Sequence, residues 1–221
     1  MVQNDISKLN SKEFVDFVVS LENSSPYISV YKKICDHARG SGVEAKTMFD
    51  IEMALRKKKI SLSDELLDLL NEYKDDMSFK AYLFHLLIVE GKKKKQIVCL
   101  IVNEFNSFEL YDNYSKEVEC YLWSLGDDLF RLSVKEYYNE YVRIIRNRQF
   151  GEARQMIALL LGKIKKQEVV STLIDLLDDD DINGHVLQAL SKYDFDTKND
   201  VAQRFLFDGR KWVAKIAKKM L

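Results

Sequence analysis

The sequence predicts an all-α protein, an α-solenoid of about six helical hairpins closed by a C-terminal capping helix, and three observations carry that expectation. Apolar residues recur at helical spacing from one end of the chain to the other, as a buried helix face requires. Turn-forming residues are scarce, with eight glycines and one proline in 221 residues, far fewer than an all-β chain of many turns would use. The apolar segments also close at a fixed interval. Leu55 with Arg56, Glu90 with Gly91, Leu125 with Gly126 and Leu161 with Gly162 each end one, and the second members follow one another at 35, 35 and 36 residues. That period fits a two-helix repeat, which buries its apolar face only by stacking on neighbours.

In order, the first repeat (11–42) pairs a helix over 11–22 with one over 26–39, Ser25 and Pro26 serving as cap and first helical position. The second (43–75) pairs 43–59 with 63–73, and the third (76–112) pairs 78–90 with 92–105, followed by a polar and aromatic connection over 106–113. In the fourth (113–148), 115–125 pairs with 133–147, where Ser133 and Glu136 have capping-box spacing. The fifth (149–181) has the plainest pattern. Ala153, Ile157, Leu160 and Leu161 form one stripe while Glu152, Arg154 and Gln155 stay wet, Gly162 ends the helix, and a second helix buries Val169, Val170, Leu173, Ile174, Leu176 and Leu177. Asp178 to Asp181 then make a solvated loop before the next helix N-terminus. The sixth (182–208) pairs 185–192 with 198–207, and the amphipathic, basic segment 209–221 is expected to cap the stack.

The segments MIALLLGKIKKQEVVSTLIDLLDDDD and HVLQAL resemble HEAT repeats, in particular the short bacterial form also found in phycobilisome lyase-like proteins. The resemblance implies a right-handed α-solenoid whose second helices line a concave surface and whose members mostly bind other macromolecules. Gly184 and His185 stand where that family usually has valine and arginine.

Composition narrows the setting. The formal net charge is −1, so bulk charge exerts no long-range pull on nucleic acid or acidic lipid. The opening MVQNDISKLN is too polar for a signal peptide, and no apolar run reaches membrane-spanning length. Cys35, Cys99 and Cys120 are odd in number, far apart and in apolar settings; they read as reduced core cysteines of a cytoplasmic, bacterial protein.

Reaction centres are hard to find. Asp179, Asp181, Asn183 and Gly184 match the opening of a calcium loop, but Leu190 stands where the twelfth-position glutamate belongs. His37, His85 and His185 lie in different repeats, so no metal or other cofactor is expected. Nucleophile-elbow, phosphate-loop and zinc-protease motifs are absent from the sequence. Trp123 and Asp127, one helical turn apart, are similar to the aromatic surface and aspartate of HEAT-like alkylpurine DNA glycosylases. The competing reading is a core tryptophan and a turn aspartate after Gly126.

Charge patterning gives the candidate surfaces. Lys57, Lys58 and Lys59, then Lys92, Lys93, Lys94 and Lys95, then Lys163, Lys165 and Lys166 fall in the turns between first and second helices and form a basic edge, interrupted at the fourth repeat by Asp127 and Asp128. Asp75, Asp76 and Asp178 to Asp181 fall on the opposite edge. On the second helices Asp64, Asp68, Glu72, Glu104, Glu136, Tyr137, Glu140 and Asp175 are expected to face solvent and to hold a protein partner of basic character. The leading expectation is therefore a non-catalytic protein-binding module, such as an immunity or adaptor protein that occludes its partner. The runner-up is a DNA-binding protein or glycosylase using the lysine edge, and a third reading is a self-assembling scaffold with edges of opposite charge.

Overall fold

The computed structural model describes residues 11–110 and 114–221. The reading of 1–10 as a polar start, and part of the 106–113 connection, lie outside the described residues. All regular structure among the described residues is helical, in thirteen α-helices with short 3-10 turns. The chain divides into two compact units, Met1–Leu66 and Leu67–Leu221.

The first unit holds α1 (Ser11–Asn23), α2 (Ile28–Gly40), α3 (Met48–Arg56) and the opening of α4 (Ser63–Glu72). α2 packs on both α1 and α3, burying Val30, Ile34, Cys35 and Ala38 against Met48, Ile51, Ala54 and Leu55. α3 begins five residues later than the pattern suggests. Thr47 caps it, accepting from the Asp50 N–H while the Asp50 carboxylate accepts from the Thr47 N–H. The preceding residues are held outside the helix, with the Val43 N–H on the Ala38 carbonyl and Arg39 on the Ala45 carbonyl. The Glu22 carboxylate, at the end of α1, accepts from the Met48 N–H at 2.8 Å, placing negative charge at the positive end of α3.

The second unit continues with α5 (Met77–Glu90), α6 (Lys94–Ser107), α7 (Lys116–Leu132), α8 (Tyr138–Arg146), α9 (Gln155–Ile164), α10 (Val170–Asp175), α11 (Asn183–Leu190), α12 (Lys198–Arg204) and α13 (Lys211–Met220). Its packing repeats. α5 packs on α7, α7 on α9, α9 on α11 and α11 on α13, while α6, α8, α10 and α12 each pack on the odd-numbered helix that follows. The odd helices run in parallel: Lys116, opening α7, pairs with Glu152, just before α9, and Lys163, near the end of α9, reaches the Phe130 carbonyl near the end of α7. Leu83, Leu87, Leu122, Leu125, Leu129, Ile157, Leu160, Leu161, Leu187 and Leu190 are fully buried along the stack, each worth about 1.5–3 kcal/mol relative to an exposed side chain.

Several helix ends differ from the sequence expectation, and tertiary packing explains the difference. Gly126 and Gly162 lie inside α7 and α9, not at their ends. A Cβ on Gly162 would stand 2.8 Å from the Ala189 Cα, and one on Gly126 would stand 3.1 Å from the Ala153 carbonyl oxygen. These glycines let neighbouring odd helices approach closely. The ends come later, at Ser133 (φ 50) and Lys165 (φ 58), both left-handed. Ser133 therefore closes α7 and does not open a capping box, and α8 starts after a 3-10 turn over Lys135–Tyr137. α6 likewise starts at Lys94, because Gly91 (φ 74) and Lys93 (φ 50) make the turn.

Candidate functional site

The two faces expected to carry function differ in how far their charges are already satisfied. On the even helices four of the eight predicted partner-binding residues, Glu104, Glu136, Tyr137 and Glu140, are engaged within the fold. Glu104 is not solvent-facing. Its Oε2 accepts from the Lys80 ammonium at 2.6 Å and from the Tyr121 hydroxyl at 2.8 Å, because Lys80 is itself only 9% exposed and needs a counter-charge there. Burial and the Glu104 carboxylate hold the Tyr121 hydroxyl well above the ordinary phenol range.

Glu136 pairs with Lys95 at 2.7 Å and the Tyr137 hydroxyl donates to the Lys95 carbonyl, joining the start of α8 to the start of α6. The Lys95 hydrogen bond lowers the Glu136 carboxyl below its usual range. Glu140 accepts from Arg143, which also contacts Glu109 and Asn106. Asp64, in the first unit, and Asp68, Glu72 and Asp175, in the second, are exposed. Sequence reasoning missed Arg143 and Arg146 on this layer; with Tyr138, Glu168 and Thr172 they line a cleft of about 370 Å3, and Arg146 donates to the Thr172 hydroxyl at 2.6 Å.

Near the N-terminal ends of the odd helices several carboxylates are matched by cations. Arg154, expected to be wet, is fully buried, and Asp179 of the supposed solvated loop is buried with it. The guanidinium grips Asp179 with two bonds, Nη1 to Oδ2 at 2.8 Å and Nη2 to Oδ1 at 3.2 Å, while Nε and Nη1 also reach the Gly151 and Ile145 carbonyls. Burial raises the Asp179 carboxyl pKa, but Arg154 outweighs it and leaves the group below its ordinary value. The carboxylate that would open a calcium loop is thus held by an arginine. Asn183, the third ligand position, accepts from Arg210 and donates to Asp180. Glu119 and Glu152 pair with Lys116, Asp178 with Arg204, and Asp208 with Arg210; the last pairing draws the Asp208 carboxyl down to about 2.

The basic edge is different. Lys57, Lys58 and Lys59 are exposed at the end of α3 in the first unit. In the second unit Lys92 to Lys95, Lys163, Lys165 and Lys166 are exposed at odd-helix C-terminal ends. The expected acidic interruption at the fourth repeat does not occur there, because α7 continues past Asp127 and Asp128 to Leu132. Arg131 and Lys135, both exposed, flank the turn instead. Lys192 after α11 and Lys218 and Lys219 at the end of α13 extend the series, although no lysine run marks them in the sequence.

Trp123 and Asp127 stand on one face of α7, and neither is core or turn. Trp123 is 41% exposed, its indole N–H on Gln155 at 3.3 Å. Asp127 is in an ion pair with Arg131 at 2.7 Å, which competes with any role in stabilising a cationic sugar. Asp128 beside it is buried, and burial raises that carboxyl to about 7. Cys35 is buried, but Cys99 and Cys120 are exposed rather than core residues. Among the described residues no helix is long and apolar enough to cross a membrane. No family model, curated protein or solved structure matches the chain.

Proposed function

We propose that this chain is a right-handed α-solenoid of HEAT-like hairpins that works as a non-catalytic protein-binding module in the bacterial cytoplasm, in the manner of an immunity or adaptor protein. The observation that supports this most is the repeated packing within Leu67–Leu221, where parallel odd helices form one layer and each even helix packs forward on the next odd one. Such stacking leaves α6, α8, α10 and α12 as a second layer suited to an extended partner. Exposed Asp68, Glu72 and Asp175 offer charge to a basic protein. The half-buried Tyr137, which is oriented by the Lys95 carbonyl, offers an aromatic anchor.

The test is affinity capture from the native cell with the wild-type chain beside D68K/E72K/D175K, each checked for folding by circular dichroism. The proposal expects a basic protein retained by the wild type and lost from the triple variant. Equal recovery by both, or capture of acidic proteins alone, refutes it.

A further inference from the structure

Six of the lysines at or just past the C-terminal ends of the odd helices form a row, while Lys92 and Lys95 beside them pair with Glu90 and Glu136. Lys94, Lys135, Lys163, Lys165, Lys192 and Lys218 are all exposed, and among the described residues none is in an ion pair. At the other end of the same helices Glu119, Glu152, Asp178, Asp179 and Asp208 each have a cation. Helix-dipole complementarity accounts for lysine at a C-terminal end. It does not by itself account for six such lysines standing without an ion pair.

Contacts between successive turns join the row from the start of α6 to the turn after α11, and α11 packs on α13. The Tyr137 hydroxyl binds the Lys95 carbonyl, the Lys163 ammonium binds the Phe130 carbonyl, the Lys166 ammonium sits 4.2 Å from the centre of the Tyr138 ring, and the Tyr193 hydroxyl binds the Leu161 carbonyl. In the middle of the row a cleft of about 400 Å3 is lined by Phe130, Leu159, Gly162 and Ala189 together with Lys163, Lys165 and Lys192. Glu168, Asp194 and Asp196 are also exposed near this end, but they are outnumbered.

We propose that this row is a nucleic-acid backbone site, gripping the phosphates of a duplex across about one helical turn without reading its sequence. The span fits: four steps between odd helices, at roughly 8–10 Å each, cover about 32–40 Å, against about 34–36 Å for one turn of B-form DNA. The net charge of −1 does not oppose this. α7 has 17 residues and is about 25 Å long, so the acidic edge lies more than two Debye lengths away at physiological salt, taking about 8 Å for each. Phosphate contact is the sequence-independent part of nucleic-acid binding and needs only unneutralised cations at suitable spacing.

The experiment uses the full chain and a fluorescein-labelled duplex of about 20 base pairs, long enough for one full turn of contact, titrated by anisotropy across a sodium chloride series. Three proteins are compared: wild type, K135Q/K163Q/K192Q, and K32Q/K33Q/K46Q, the last removing the same charge from exposed lysines of the first unit. Each lost phosphate contact removes about 0.9 from the slope of log affinity against log salt. The edge variant is therefore expected to bind with a slope shallower by about 2 to 3, and the control variant to match the wild type. Absence of duplex binding at low salt overturns the proposal, as does a slope equal in edge and control variants. Competition by polyglutamate, or by vesicles of anionic lipid, as effective as unlabelled duplex at equal charge also overturns it, since the surface would then serve an acidic polypeptide or a membrane.

Discussion

Removing the Arg154 side chain should produce one of the largest stability losses available in this fold. In Arg154→Met the apolar stem is approximately kept, but Asp179, 6% exposed, loses both guanidinium bonds and keeps only the Asp181 backbone N–H and Arg148, whose Nε stands at 3.7 Å. The Gly151 and Ile145 carbonyls lose donors at the same time. Breaking a buried pair by deleting one partner costs about 3–5 kcal/mol, because the surviving charge is left in a poor dielectric. For a unit of this size that corresponds to a fall in Tm of roughly 6–20 °C. Urea and thermal melts followed by circular dichroism measure it. The double variant R154M/D179L, which removes both charges, should recover much of the loss. Because Arg154 holds the Asp179 carboxyl below its unfolded value, the pair's contribution is present above the unfolded pKa and disappears as pH falls through the folded one. The difference between wild type and R154M should therefore narrow in acid. A loss below about 1 kcal/mol, or a double variant worse than the two single variants combined, would show that the pair is not the anchor described.

Gly162→Ala should lower the Tm by an amount equivalent to about 1–3 kcal/mol through overpacking against the Ala189 backbone. Gly40→Ala, where an added Cβ meets nothing within 4 Å, should be neutral or stabilising by up to about 1 kcal/mol. Asp128→Asn should raise the Tm more at pH 8 than at pH 5. Burial raises the Asp128 carboxyl to about 7, so its stability contribution is complete only below the unfolded pKa and is lost progressively as pH rises through about 7; a Tm gain as large at pH 5 as at pH 8 would contradict this. Tyr121→Phe, which removes one of the donors to Glu104, should cost about 0.5–1.5 kcal/mol in a urea melt while leaving partner capture unchanged.

What could be read from the sequence was whatever depends on local periodicity. The apolar stripes located helices, and Ser63–Glu72, Met77–Glu90 and Lys211–Met220 fall within about two residues of expectation. What could not be read depends on neighbours distant in sequence. Gly126 and Gly162 look like helix ends because glycine usually marks them, yet here they relieve crowding between stacked helices. Ending α7 at Gly126 displaced the fourth turn by seven residues, which put Asp127 and Asp128 on the basic edge and hid Lys135. Arg154 and Glu104 look exposed by spacing, and only partners 25 and 24 residues away, Asp179 and Lys80, draw them inward. For the same reason the expected acidic surface was legible as composition but not as availability.

The left-handed turns have a consequence for how evolution can tune this molecule. Lys58, Lys93, Ser133 and Lys165 occupy positive φ, a conformation that costs an ordinary residue about 1–2 kcal/mol and that glycine adopts freely. Three of the four are lysines, so at those turns conformational ease and surface charge compete for a single position. A drift to glycine would tighten the hairpin and erase one cation, whereas lysine keeps the charge and leaves the hairpin slightly sprung. Each such turn is a one-residue dial between robustness and electrostatics, adjustable without disturbing the helices on either side.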